Sequence, residues 1–167
     1  MAIPYRGETG FSTYFITFNI WQKRRLLQTN RSAALFIEIL YKFRAESRYS
    51  LHEFVVMPNH VHALLTPLRP NTLERCVGLV KSGFSYRYTR MNRDPGEIWQ
   101  TSFMDRRVRD SQEYQRFRTY IHQNPVKARL VASPEEFAHG SASGKFELDE
   151  IPQGLRPTSK AAVGTQA

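Results

Sequence analysis

Cysteine is almost missing from this chain: Cys76 is the only one in 167 residues, so no internal disulfide can form. A lone thiol suits a reducing compartment, and the cytoplasm is the expected location. A structural zinc held by thiolates lacks its ligands for the same reason. Long apolar runs are missing too. None approaches the roughly 18 residues of a membrane span, so no membrane partner is expected. The first residues, MAIPYRGETGFS, carry no apolar leader core. Acidic residues are few, 15 against 24 Lys and Arg, and the imbalance is local. Residues 1–130 hold 21 of the basic and 10 of the acidic side chains, whereas residues 131–167 hold 3 and 5. A cationic body of this kind favours a polyanion such as nucleic acid. It is equally compatible with a merely basic soluble protein.

What is present has enough length for one domain with a real hydrophobic core. Residues 1–130 carry the periodic patterns. Residues 131–151 form an extension expected to pack on or near that domain. Residues 152–167, rich in Pro, Gly, Ser, Thr and Ala, are expected to be a disordered tail.

Within the body, Thr13–Ile20 alternates. Tyr14, Ile16, Phe18 and Ile20 fall on one face, and Thr13, Phe15, Thr17 and Asn19 on the other, as in a half-buried strand. A basic loop, Lys23-Arg24-Arg25, follows. Residues 31–48 show helical spacing, with Asn30 as the expected cap. His52–Met57 and His60–Thr66 read as strands joined by Pro58-Asn59 in an antiparallel hairpin. Residues 71–92 read as a helix capped by Asn71 or Thr72. A strand is expected near Phe103–Arg109. Ser111 is the expected cap of a last helix that Asn124-Pro125 should stop near Gln123. The order β-α-β-β-α-β plus a helix predicts an α+β, ferredoxin-like split βαβ sandwich. That fold hosts enzymes and RNA-binding modules alike, so it does not decide function.

Two local patterns carry chemistry. His60 and His62 are two apart on a strand and therefore share a face. Two neutral imidazoles so placed can chelate a metal, although two surface histidines would look the same. Tyr120 and Asn124 are four apart on the last helix and also share a face. Asn124 offers a hard carboxamide oxygen. Tyr120 could instead be an ordinary packing aromatic. Tyr114, six residues before Tyr120, points elsewhere on the helix. His122 reads as a surface residue.

Together three segments are specific: Met57-Pro58-Asn59-His60-Val61-His62; Trp99-Gln100 with Phe103, Asp105 and Arg109; and Tyr120-Ile121-His122-Gln123-Asn124-Pro125-Val126-Lys127. In this order they resemble the REP-associated tyrosine transposases, of the single-tyrosine HUH (IS200-like) superfamily, over about residues 10–145. The resemblance implies a divalent metal, Mg²⁺ or Mn²⁺, held by His60, His62 and Asn124. It implies Tyr120 as nucleophile and single-stranded or hairpin DNA as substrate. It also implies strand transfer through a covalent 5′-phosphotyrosine, by a monomer or homodimer. Imidazole favours softer ions than Mg²⁺, which makes Mn²⁺ a fair candidate. Lys23, Arg24, Arg25, Lys81, Arg87, Arg90, Arg106, Arg107 and Arg109 are candidate phosphate contacts. Phe84, Tyr86 and Tyr88 lie among them as candidate stacking residues. The rival reading is a non-catalytic nucleic-acid binder on an RNA-recognition-like sheet. A replication-initiator or relaxase-like nickase is a third.

Overall fold

The computed structural model describes residues 12–158. Four strands and three long helices follow one another as β1 (Tyr14–Asn19), α1 (Asn30–Ala45), β2 (Tyr49–Val56), β3 (His60–Pro67), α2 (Leu73–Asn92), β4 (Met104–Arg107) and α3 (Ser111–Lys127). The sheet runs β2-β3-β1-β4 with every neighbouring pair antiparallel. This is the expected ferredoxin-like arrangement. No helix among the described residues is long and apolar enough to cross a membrane.

The alternation in β1 sorts the two faces. Tyr14, Ile16, Phe18 and Ile20 join Val61, Ala63 and Leu65 of β3 in the main core, together with Phe36 and Leu40 of α1 and Val80 and Phe84 of α2. The opposite face is covered by α3. Its stripe of Tyr114, Phe117 and Ile121 packs with Phe15, Val55, Met57 and Leu64 in a second, smaller core. The site lies at the open side of this second layer.

Several boundaries differ from the sequence expectation. Thr29, not Asn30, caps α1, accepting from the Ser32 amide at 3.1 Å. Thr72 caps α2. Asp110, not Ser111, caps α3 by accepting from the Glu113 amide at 2.7 Å. A carboxylate at that end also complements the helix dipole. Strand β2 begins at Tyr49 rather than His52, because a bulge between Leu51 and Glu53 breaks the alternation that periodicity relies on. Helix α3 runs through Pro125 to Lys127. A proline in the last turn forfeits one backbone bond, and burial of its ring against the sheet side of the helix offsets that loss.

Residues after α3 return along β2. Gly140 bridges Val55, and the His139 carbonyl accepts from the Val56 amide at 2.8 Å. Asp149 receives a two-pronged bond from Arg44, both contacts at 2.9 Å, and one from the Leu51 amide at 2.7 Å. Within the stretch expected to be a disordered tail, Gln153–Leu155 form a 3-10 turn and Leu155 is buried in the second core. Residues 159–167 of that stretch lie outside the described residues.

Candidate active site

The site is assembled from β1, β3 and α3. Antiparallel register sets Thr17 opposite His62 and Asn19 opposite His60. The two imidazoles, on one face as a period of two requires, have ring centroids 4.7 Å apart. Each Nδ1 is engaged. His60 donates to Asn59 Oδ1 at 2.7 Å, and His62 Nδ1 lies 2.8 Å from the Thr17 hydroxyl. With Nδ1–H pointed at Thr17, Nε2 of His62 keeps a free lone pair. That nitrogen is buried and has no hydrogen-bond partner among the described residues. Burial, followed by repulsion from His60, pushes the His62 pKa down to about 3. Burial also lowers His60, against a hydrogen bond with Asn124 that works in the opposite sense. Both rings are therefore neutral at neutral pH, the form that binds metals.

Helix α3 lies over this strand pair and progresses with β1. Phe117 stacks on Phe15 with centroids 4.4 Å apart. Tyr120 stands edge-on to His62 at 5.1 Å and to Phe15 at 5.9 Å. Asn124, one turn later, reaches His60. The helix thus brings Tyr120 and Asn124 to the histidine pair. Tyr120 is 43% exposed and lines a cleft of about 700 Å³ with His60, His62, Thr17, Asn19, Asn59 and Phe117. Tyr114, by contrast, is buried in the second core, and burial raises its hydroxyl pKa. No group of three or more His, Cys, Asp or Glu that could hold a metal exists among the described residues. The orphaned His62 nitrogen beside His60 and Asn124 nevertheless fits an ion completed by ligand oxygens.

The nine basic candidates fall into different places. Lys23 and Arg106 line the cleft. Arg106 is 3.2 Å from Glu113 and lies over the Phe117 ring, and Arg109 shares the same carboxylate at 3.4 Å. Arg107 is exposed on β4. Arg24 is tied to Asp94 at 3.3 Å, and Arg25 to Gln28 at 2.6 Å. Lys81, Arg87 and Arg90 sit on α2, on the opposite side of the sheet from the cleft. Lys81 donates to the Gln100 carbonyl at 2.8 Å, Arg87 pairs with Glu38 at 2.6 Å, and Arg90 caps the Tyr86 ring. Of the proposed stacking residues, Phe84 is core, Tyr88 is buried and Tyr86 is exposed.

Four side chains escaped the sequence reading, Glu53, Arg118, Ser141 and Arg116. Glu53, buried on β2, accepts from Arg118 Nε at 2.8 Å and from the Ser141 hydroxyl, and lies 2.8 Å from His122 Nε2. Burial pushes its carboxyl pKa up, but the bonds from His122, Ser141 and Arg118 outweigh this and hold it below the ordinary value. Arg118 and His122 flank Tyr120, so this clamp sets the rotation of α3. His122 is consequently half-buried rather than a surface residue. A lone acid inside the apolar run Leu51–Met57 was the available signal. The fourth, Arg116, lines the cleft, and its signal was its position four residues before Tyr120.

A histidine pair and a helix-borne tyrosine thus share one cleft on the same face of a ferredoxin-like sheet, and comparison with known proteins names the family. The model of the family described as transposase, IS200-like, matches residues 12–124, and the chain belongs to that family. It is 28% identical over 143 residues to the REP-associated tyrosine transposase of Escherichia coli (strain K12), covering 82% of this chain and 83% of that one. Its fold is similar to that of a REP-associated tyrosine transposase solved with a REP hairpin bound, with a TM-score of 0.70 at 22% identity over 95% of this chain and 96% of the other. A transposase structure from Deinococcus radiodurans aligns with a TM-score of 0.53 at 19% identity, over 77% and 98% of the two chains. Family membership sets aside the non-catalytic reading: the chain is a transposase.

Proposed function

We propose that this transposase cuts and rejoins single-stranded DNA at REP-like hairpins, with Tyr120 as nucleophile. The observation that carries the reading is the placement of the partly exposed Tyr120 ring 5.1 Å from His62, at the mouth of the cleft that both histidines line. Tyr120 gives up its hydroxyl proton to solvent and its oxygen bonds to phosphorus. The bond from phosphorus to the 3′-oxygen breaks, and that oxygen takes up a proton. The result is a 5′-phosphotyrosine and a free 3′-hydroxyl. Attack by a different 3′-hydroxyl reverses the step and joins new strands, and the covalent link conserves the bond energy without ATP. His60, His62 and Asn124 would hold a divalent ion, Mg²⁺ or Mn²⁺, which supplies charge neutralisation at the scissile phosphate. Thr17 and Asn59 orient the imidazoles. Lys23 and Arg106 attract the strand. The acting unit is a monomer or a homodimer. The cytoplasm, where such DNA is reached, is the proposed compartment.

The test is incubation with hairpin-bearing single-stranded DNA from the flanks of its own gene, with Mn²⁺ or Mg²⁺, followed by a denaturing gel. A protein–DNA adduct is expected from the parent and none from Tyr120→Phe, which keeps ring volume and should fold and bind DNA. Phosphate mapped to any residue other than Tyr120 would overturn the assignment.

A further inference from the structure

Two cations in the cleft are uncommitted. Lys23 and Arg116 both line it, and neither side chain makes an ion pair or hydrogen bond among the described residues. Arg106 beside them is already held by Glu113. The two free cations lie at opposite ends, because α3 advances along β1. Phe117 stands over Phe15, Tyr120 by His62 opposite Thr17, and Asn124 by His60 opposite Asn19. Arg116 therefore sits at the Phe15 end and Lys23 just past the Asn19 end. A strand laid between them crosses the histidine pair and Tyr120.

Arg116 is the closer of the two to the chemistry. It precedes Tyr120 by four residues in one unbroken helix, so both share a face with Cβ atoms about 5–6 Å apart. Helical side chains lean toward the N-terminus, so the Tyr120 hydroxyl leans over the turn that carries Arg116. Arg118, two residues away, is held by Glu53 on another side of the helix and cannot substitute. Resting on the function proposed above, we infer that Arg116 is a catalytic residue. Its guanidinium holds a non-bridging oxygen of the scissile phosphate while the Tyr120 oxygen attacks. It transfers no proton. It neutralises charge that grows on the equatorial oxygens as the bond to Tyr120 forms and the bond to the 3′-oxygen breaks. A planar, permanently charged fork suits that task better than an ammonium.

The experiment measures hairpin-DNA affinity and single-turnover cleavage at saturating DNA for the parent, Arg116→Ala and Arg116→Lys. Loss of one donor aimed at a developing oxyanion is expected to slow cleavage by about 100-fold. Affinity should stay within about threefold, since many other phosphate contacts support binding. Lys should recover part of the rate. The decisive substrate carries an uncharged methylphosphonate at the scissile position. On it, the gap between parent and Arg116→Ala should shrink to a few-fold, because the ground-state charge and one of the two non-bridging oxygens that Arg116 could answer are gone. An unchanged rate in Arg116→Ala would refute the inference. So would an affinity loss with a normal saturated rate, which would place Arg116 on a distant phosphate, or a 100-fold gap that persists on the methylphosphonate. If the parent cleaves and forms the Tyr120 adduct, those outcomes strike Arg116 alone; a parent that leaves the DNA uncut strikes the proposed function itself.

Discussion

Replacing Glu53 with Ala should destabilise the protein by about 2–3 kcal/mol at neutral pH, and the contacts of this residue show why. Its carboxylate is buried and bound by three groups that suffer unequally when it goes. His122, only 18% exposed, loses its acceptor, and a poorly solvated polar group left unpaired costs about 1–3 kcal/mol. Arg118 is 44% exposed and can turn to water, so its share is only about 0.2–1 kcal/mol. Ser141 still donates to the Phe54 carbonyl at 3.1 Å and loses little. The relief of no longer burying a carboxylate offsets part of the sum. For a domain of this size such a loss lowers Tm by roughly 5–10 °C. The pH dependence follows from the depressed carboxyl pKa. A group whose folded value lies below its ordinary 4.5 stabilises fully above that pH, and the stabilisation drains as pH falls through the folded value. Urea unfolding of parent and variant should therefore show a gap that narrows below pH 4.5. A gap under about 0.5 kcal/mol at pH 7, or one that widens on acidification, would refute the clamp.

His60→Ala or His62→Ala should abolish cleavage while leaving most hairpin-DNA affinity, measured side by side by gel and by titration; parental cleavage in both would remove the metal site. Arg106→Ala should reduce the slope of log affinity against log salt by about one unit if it touches phosphate, whereas Arg87→Ala, which faces away from the cleft and pairs with Glu38, should leave the slope alone. Equal slopes for parent and Arg106→Ala would take Arg106 off the DNA surface.

Local periodicity was sufficient for much of this. Alternation in Thr13–Ile20 assigned each β1 side chain to its face, and the same rule put His60 and His62 side by side. The interval of four placed Asn124 on the Tyr120 face of α3. These are properties of single strands and helices, in which side-chain direction follows from backbone period alone. Tertiary structure decided the rest. The sequence could not show that α3 lies along β1 so that Tyr120, rather than Tyr114, meets the histidines, because docking depends on a stripe of residues meeting a sheet face built from distant segments. The bulge at His52 turns Glu53 toward α3, and no period of two anticipates an extra residue. Nor could charge count separate Arg87, spent on Glu38 behind the sheet, from Arg116, unpaired in the cleft. A cation's sign is written in the sequence, but its partner is chosen by the fold.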